Sequence, residues 1–359
     1  MILNRRASLL GTILALAWLA GCGSSSSHSA YVAVPQANAI AAFRVNTNSG
    51  DFKRVLGSPF SGGTSPVSIV IHPSGKFIYA ANQGGSDISL FTIDSSTGDL
   101  SEKMPRTAAG LNPTSLTIDS GGDLLFATNE VSNNISVYSI SSSNGTLTQV
   151  AGSPFPTGAR PVALALSPSG KFLYVASANL GVVFGYSVAS ARGSLLAVPG
   201  SPFAVGSAPL ALTVEPSEHF LYVANSISNT VSGMAIDPGS GTLTVASGSP
   251  FATATGPISV TVHPSGKFLY VANLGSNNVS AYSIDASTGA TTQLGKSPFT
   301  AGTGPVFVTV DPAGKFLYVC NQSSTNITKF QIDPATGGLP SSTVAATINL
   351  APTSMVFTK

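Results

Sequence analysis

Short runs of hydrophobic residues, each followed by a polar turn, recur along the chain, and residues 257–294 show the pattern most clearly. Residues 257–262 alternate and lead to a Pro-Ser-Gly turn, whereas residues 268–272 are continuously apolar. Residues 279–284 alternate again and are followed by a more polar run. Alternation indicates a strand with one covered face, and a continuous apolar run of this length indicates a strand covered on both faces. Each copy therefore predicts four short antiparallel strands.

The copies repeat at a fixed spacing. The aromatic residue near the start of the continuously apolar run recurs every 47 or 48 residues, at Tyr31, Tyr79, Phe126, Tyr174, Tyr222, Tyr270 and Tyr318. Four strands in a repeat of roughly 40–50 residues are typical of a β-propeller blade. The seven copies predict an all-β, seven-bladed β-propeller of four-stranded antiparallel blades.

The two ends of the repeat complement each other. The first copy begins at its second strand, near Tyr31, and the segment 352–358 matches the inner strand at 66–71. We therefore expect the C-terminal strand to close the first blade. Five linkers between copies carry Ser-Pro-Phe, and we expect the aromatic ring of each to pack between neighbouring sheets.

The first thirty residues differ from the repeat. Arg5 and Arg6 precede an apolar run at 9–19, and the segment Leu19-Ala20-Gly21-Cys22 resembles the bacterial lipobox. This predicts a lipoprotein signal peptide at 1–21, lipidation of Cys22, a Gly/Ser-rich tether at 22–30 and a propeller at 31–359. The expected location is the cell envelope, lipid-anchored to a bacterial membrane and facing the periplasm or the exterior. The alternative is an ordinary secretory signal with an incidental cysteine.

Charge and composition exclude several partners. Only 8% of the residues are charged, and removal of residues 1–21 would leave 14 basic against 14 acidic side chains. Nucleic-acid binding then has no electrostatic basis, and we expect the membrane to be contacted through the lipid anchor only. No two histidines have the spacing of metal ligands, and no phosphate-binding loop is present, so we expect neither a metal nor a cofactor. Cys320 lies in an apolar run and is expected to be a small buried hydrophobe.

Two residues are singular at their repeat positions. Arg160 is the only cation among the residues that precede the linker prolines, and Glu130 is the only acid among those that follow the repeated Asn. Both positions are predicted on the rim of the channel where propellers commonly bind ligands. Arg160 and Glu130 are therefore candidate catalytic or binding residues. Two interpretations are open: unrelated surface residues on loops, or an Arg–Glu pair from adjacent blades at the channel mouth.

The repeated text Pro-Ser-Gly-Lys-Phe-Leu-Tyr-Val-Ala-Asn resembles the lactonase-like seven-bladed propellers, the group of 6-phosphogluconolactonase and the YVTN-repeat proteins. The resemblance implies metal-independent hydrolysis of a sugar lactone by His, Arg and acidic residues at the channel mouth. Family enzymes commonly carry His after the linker Pro and Arg after the blade Asn. Here the residues after the linker Pro are Val67, Thr114, Val162, Leu210, Ile258 and Val306. Arg160-Pro161 and Glu130 are partial matches.

Three classes of function follow. The residues favour a binding or scaffold module that uses the channel mouth and loop rim, with a sugar lactone, a protein or a glycan as ligand. The alternatives are a 6-phosphogluconolactonase-type hydrolase with an altered site, and a structural role of the surface-layer kind. Polar groups converging in the channel would favour the enzyme, and an apolar patch on the rim would favour binding.

Overall fold

The seven copies fold into seven antiparallel sheets whose inner strands surround a central channel, as the repeat predicts. The computed structural model describes residues 27–189 and 193–358; the predicted signal peptide and Cys22 lie outside them. Blades are numbered from the one that contains Tyr31. The inner strands of blades 1 to 7 are Ser354–Phe357, Pro66–Ile71, Pro113–Ile118, Pro161–Leu166, Pro209–Val214, Pro257–Val262 and Pro305–Val310. The second strands are Ser27–Val34, Phe77–Asn82, Leu124–Asn129, Phe172–Ser177, Phe220–Asn225, Phe268–Asn273 and Phe316–Asn321.

The two remaining strands of each blade are less buried towards the outside. The third strands are Ala39–Asn46, Asp87–Ile93, Asn134–Ile140, Val182–Val188, Thr230–Ile236, Asn278–Ile284 and Asn326–Gln331. The fourth strands are Phe52–Arg54, Leu100–Ala108, Leu147–Gln149, Leu195–Ala197, Leu243–Val245, Thr291–Gln293 and Ser341–Thr347. A short 3-10 helix, Pro35–Ala37, follows the second strand of blade 1.

The Ser-Pro-Phe linkers form one further short strand in five blades, which the sequence pattern did not predict. These strands pair with the third strand of their own blade and are Phe60–Ser61, Phe155–Pro156, Phe203–Ala204, Phe251–Ala252 and Phe299–Thr300. Each linker Phe packs in a hydrophobic cluster built from two neighbouring blades, as expected. Blade 2 lacks the motif, and its fourth strand extends over nine residues instead.

Burial follows the strand pattern closely. Every residue of the second strand is buried in blades 2 to 7, which explains the continuous apolar runs. In six blades the core tyrosine donates its hydroxyl to a glycine carbonyl in the hairpin turn of the next blade, at 2.7–3.1 Å. The six pairs are Tyr31–Gly98, Tyr79–Gly145, Tyr174–Gly241, Tyr222–Gly289, Tyr270–Gly337 and Tyr318–Gly50.

The C-terminal strand completes blade 1. Ser354–Phe357 pairs antiparallel with residues 30–33, and it contacts the inner strands of blades 2 and 7. On the other side of blade 1, Lys329 of blade 7 donates to the Asp51 carboxylate at 2.6 Å. The second strand of blade 1 begins at Ser27, within the segment predicted as a tether, because residues 27–30 pair with residues 43–46. The predicted closure by the C-terminal strand is confirmed.

Candidate functional site at the channel mouth

The channel has two openings with different surroundings. We call the end where the inner strands begin the mouth rim; it carries the linkers and the loops between second and third strands. The opposite end, the turn rim, carries the Pro-Ser-Gly turns and the hairpin turns. The channel between them encloses a cavity of about 500 Å³ lined by Val, Leu, Ile, Ala, Ser, Thr, Phe and Met side chains. No ionisable side chain belongs to the lining of this cavity among the described residues; His72, Asp119 and Asp311 line the cavity at the turn-rim end.

The structure brings the two singular residues of the sequence together on the mouth rim. Arg160 Nε donates to Glu130 Oε1 at 2.6 Å. The Arg160 side chain is 52% exposed and the Glu130 side chain 16%. The pair joins blade 4 to blade 3 at the edge of the channel, two residues from Val162 in the channel lining. The contact is the one expected of an Arg–Glu pair from adjacent blades at the channel mouth.

Repeated backbone contacts place both residues. Arg160 has a left-handed conformation with φ of 57°, and its backbone N–H donates to Asn133 Oδ1 at 2.8 Å. The same contact joins Asn38 to Ser65, Asn229 to Gly256 and Asn277 to Gly304. The Glu130 N–H donates to the Asn112 carbonyl at 3.0 Å. The general blade geometry therefore holds the two backbones, and the two side chains are the feature that is particular to blades 3 and 4.

Two asparagines that the sequence did not single out complete the cluster. Asn112 Nδ2 donates to Glu130 Oε2 at 3.1 Å, and Arg160 Nη1 donates to Asn179 Oδ1 at 3.3 Å. Both carboxylate oxygens of Glu130 are thus engaged. In the described part of the chain the Arg160 side chain donates through Nε and Nη1 and not through Nη2, and it is about half exposed. The sequence does mark the loop that contains Asn179, because blade 4 carries Ser177 at the position of the repeated Asn.

The repeated Asn itself has a structural role. In five blades it is completely buried, and its Nδ2 donates across the second-to-third-strand loop at 2.9 Å to a hydroxyl seven residues later. These residues are Asn82, Asn129, Asn225, Asn273 and Asn321. A buried amide must find partners, and here those partners shape the loop on which the mouth rim is built.

Exposed apolar side chains flank the ion pair. Leu111, Val131 and Leu180 are 58%, 58% and 52% exposed on the linker and loops of blades 3 and 4. Ile227 and Leu274 continue the set on the corresponding loops of blades 5 and 6. We call these five residues the apolar arc. The corresponding loops of blades 2 and 7 carry Gln, Gly, Ser and Thr.

The turn rim borders the larger cavity, of about 590 Å³, but its polar groups are used by the turns. Ser74 N–H donates to His72 Nδ1 at 3.1 Å, which leaves Nε2 as the donor to the Gly122 carbonyl at 2.9 Å. His263 makes the equivalent contacts with Ser265 and Gly314. These histidines cap their own turns and link them to the next blade, so we place the candidate site at the smaller, mouth-side opening.

Other candidate chemistry is limited. Cys320 is buried in an apolar strand, and burial raises the pKa of its thiol well above the ordinary value. Within residues 27–189 and 193–358, no three His, Cys, Asp or Glu side chains are grouped so that they could hold a metal ion. The same residues include no helix with the length and hydrophobicity needed to cross a membrane.

Comparisons with known proteins agree with this architecture. The sequence matches the family model described as lactonase, 7-bladed beta-propeller, over residues 23–159 and 164–357, and Arg160 falls between the two matched segments. A 6-phosphogluconolactonase from Formosa agariphila is 35% identical over 72 residues, which are 20% of this chain and 20% of that protein.

Two solved structures show the fold. The periplasmic gluconolactonase of Pseudomonas aeruginosa is 20% identical, with a TM-score of 0.79 over 93% of this chain and 99% of that chain. A protein from Lactobacillus plantarum is 18% identical, with a TM-score of 0.78 over 93% of this chain and 100% of that chain. At these identities the likeness concerns the fold alone.

Proposed function

Because the chain belongs to the lactonase family of seven-bladed β-propellers, we propose that it binds a small ligand at the channel mouth through a carboxylate or lactone oxygen. The observation that carries this proposal is the state of Arg160. Glu130 holds its Nε at 2.6 Å, while Nη2 has no hydrogen-bond partner among the described residues and the side chain is about half exposed.

A guanidinium held in this way suits the recognition of oxygen atoms. Arginine presents its N–H donors in a planar fork that matches a carboxylate, and less rotamer freedom is lost on binding when the fork is already fixed. A partly exposed ion pair adds at most about 1 kcal/mol to stability. The pair therefore has little value for the fold, whereas it does set the direction in which Arg160 presents its donors.

Binding is favoured over chemistry by the surroundings of the pair. Among the described residues, the lining of the mouth-side cavity contains no ionisable side chain, and both oxygens of Glu130 already accept hydrogen bonds. A general base needs a free lone pair directed at the reacting water. Glu130 would first have to exchange one of its present partners.

Calorimetric titration with gluconate and glucono-lactone tests the binding proposal. Removal of a charged hydrogen-bond partner costs about 1.5–3 kcal/mol, so Arg160→Ala should weaken binding roughly tenfold to a hundredfold. Arg54→Ala is the control, because Arg54 lies on the outer strand of blade 1. Equal affinities for the wild type and Arg160→Ala would reject Arg160 as the contact.

Hydrolysis of a lactone is the second candidate function. Family membership favours it, as does the similarity to the Pseudomonas gluconolactonase and the Formosa 6-phosphogluconolactonase. In this reaction Arg160 would stabilise the oxyanion, and Glu130 would take a proton from the attacking water. No metal would be involved in that assignment.

A panel of sugar lactones, followed by pH change, tests hydrolysis. Loss of an oxyanion partner typically costs about a hundredfold or more in rate, so Arg160→Ala and Glu130→Gln should both be severely impaired. A wild type no faster than the uncatalysed reaction would reject the enzyme. Full rates in both variants would mean that another site is responsible.

We also propose that Cys22 is acylated and anchors the propeller. The strand Ser27–Val34 begins at the turn rim, and five residues reach at most about 18 Å. Such an anchor would keep the turn rim near the bilayer and direct the mouth rim away from it. Fatty-acid labelling of the wild type and Cys22→Ala tests this; equal label, or no label in either protein, would reject it.

A further inference from the structure

We infer that the ligand of the channel mouth is an amphiphile, in which an aliphatic chain adjoins the carboxylate or lactone group. This inference rests on the proposed binding function and specifies its ligand class. It follows from the position of the apolar arc relative to the Glu130–Arg160 pair.

Three members of the arc are chain neighbours of the polar cluster. Leu111 precedes Asn112, Val131 follows Glu130, and Leu180 follows Asn179. The loops are in contact, because the Val131 N–H donates to the Leu111 carbonyl at 3.3 Å. Leu180 lies against Gly158, two residues before Arg160. A single cation is thus set among exposed apolar side chains.

Apolar side chains also line the mouth end of the channel. The first channel-lining residues below the mouth rim on blades 4, 5 and 6 are Val162, Leu210 and Ile258. These are the same blades that carry Leu180, Ile227 and Leu274 on the rim. A chain attached to a group on Arg160 would lie against the apolar arc and extend towards these side chains at the mouth of a cavity of about 500 Å³, whose deeper lining also carries Ser and Thr hydroxyls.

Single exposed apolar residues are ordinary, but several of them beside a functional group indicate a binding surface. A phosphorylated polyol would fit poorly, since a phosphate is usually bound by several donors and each hydroxyl needs a partner. Arg160 is the only cation among the residues that precede the inner-strand prolines or follow the repeated Asn. An aliphatic chain needs no such partners and gains from burial.

A homologous series of γ-alkyl lactones, from γ-butyrolactone to γ-decalactone, tests the inference by calorimetry alongside glucono-lactone. Burial of a methylene is worth up to about a fourfold gain in affinity, so Kd should fall with each added carbon until the alkyl chain covers the apolar arc. Arg160→Ala should weaken every member of the series by a similar factor.

Two leucine-to-asparagine substitutions test where the alkyl chain of the ligand binds. Leu180→Asn should remove much of the gain with chain length, by about tenfold for γ-decalactone, while γ-butyrolactone is bound as before. Leu196→Asn is the control, because Leu196 is 73% exposed on the outer strand of blade 4. Equal losses in the two variants would overturn the inference, because the chain would then bind non-specifically.

The remaining outcomes separate the inference from the proposed function. Arg160-dependent binding of glucono-lactone with no gain from an alkyl chain would overturn the amphiphile and leave the proposed function standing. If neither series binds and a protein partner is instead held through the arc, both proposals are wrong.

Discussion

Six of the seven contacts between neighbouring blades are built alike, and the contact between blades 3 and 4 is not. At the six, a buried tyrosine donates to a glycine carbonyl of the next blade. Blade 3 has Phe126 at that position, so the bond to Gly193 of blade 4 cannot form. Blade 4 also replaces the repeated Asn by Ser177, and the Glu130–Arg160 pair spans the same two blades.

The residues that close the ring therefore differ from the residues that are available to bind a ligand. The contact that recurs at six of the seven interfaces serves closure, because a ring needs each blade to meet the next in a similar way. A ligand without sevenfold symmetry requires a place where the repeat is broken. Several departures from the repeat meet at one interface, which makes that interface the natural place for an asymmetric ligand.

Opening the ring should have the largest effect on stability. Deletion of residues 352–359 removes the inner strand of blade 1 and exposes the edge of the strand Ser27–Val34. An unpaired edge of this kind promotes aggregation, so we expect loss of the cooperative melting transition and light scattering. A synthetic peptide of the deleted sequence, added in trans, should restore part of the transition. A truncated protein that melts like the wild type would contradict closure by shared termini.

Breaking one regular interface should have the next largest effect. Tyr222→Phe leaves the Gly289 carbonyl without its partner, and an unsatisfied buried group costs about 1–3 kcal/mol. Burial raises the pKa of Tyr222, so ionisation opposes folding. The stability that wild type gains over the variant should therefore be complete below pH 10 and decline above it. Denaturant unfolding at neutral and alkaline pH measures both effects; a variant as stable as wild type would disprove the role of the bond.

Giving the interface between blades 3 and 4 the regular tyrosine contact should increase stability. Phe126→Tyr would place a hydroxyl where six other blades use one, and a new buried hydrogen bond contributes about 0.5–1.5 kcal/mol. We expect a higher denaturation midpoint, with Phe91→Tyr as a control at a buried ring outside the series. Destabilisation by Phe126→Tyr would show that blades 3 and 4 are packed differently from the rest.

The hairpin turns offer the smallest test. Asp94, Asp237, Asp285 and Asp333 cap these turns in four blades, whereas blades 3 and 4 carry Ser141 and Ala189. Hydrogen bonds from Ser287 and Thr288 lower the pKa of Asp285 from 3.8 to about 2. Because the pKa of Asp285 is lower in the folded chain than its ordinary value of 3.8, the carboxylate stabilises the fold at pH values above 3.8. This contribution is lost as the pH falls through about 2.

Asp285→Ala should accordingly be slightly less stable than wild type at pH 7, and the difference should disappear near pH 2. Unfolding curves at both pH values measure it, and Asp99→Ala, at another hairpin, serves as the control. A difference that persists unchanged at pH 2 would mean that the carboxylate is not its cause.

Much of the fold could be predicted because the repeat is explicit. The strand Pro257–Val262 was predicted to the residue, and its neighbours to within about one residue at each end. Blade 1 was predicted to start at residue 31, but its second strand begins at Ser27. The polar residues Ser27 and His28 gave no strand pattern, whereas strand pairing depends on the backbone. The short linker strands were missed for a related reason: two residues carry no periodicity.

The candidate site could be predicted in part. Arg160 and Glu130 were found because each breaks the charge pattern of its repeat position, and the structure places them in contact. Asn112 and Asn179 were missed because asparagine is common in these loops, and only geometry distinguishes them from the others. The tyrosine–glycine bonds were missed because the partners lie in different copies, 66 or 67 residues apart in five pairs and 268 apart in the pair Tyr318–Gly50.

The shared first blade has a consequence for the order of events during synthesis. Blades 2 to 7 are each made of continuous chain and can form as that chain emerges. Ser29 and its partner Thr358 are separated by 329 residues. At 5–20 residues per second, the second strand of blade 1 would wait on the order of half a minute for its inner neighbour. Until then it presents an open edge, so a chaperone that occupies this edge would protect the protein at its most vulnerable stage.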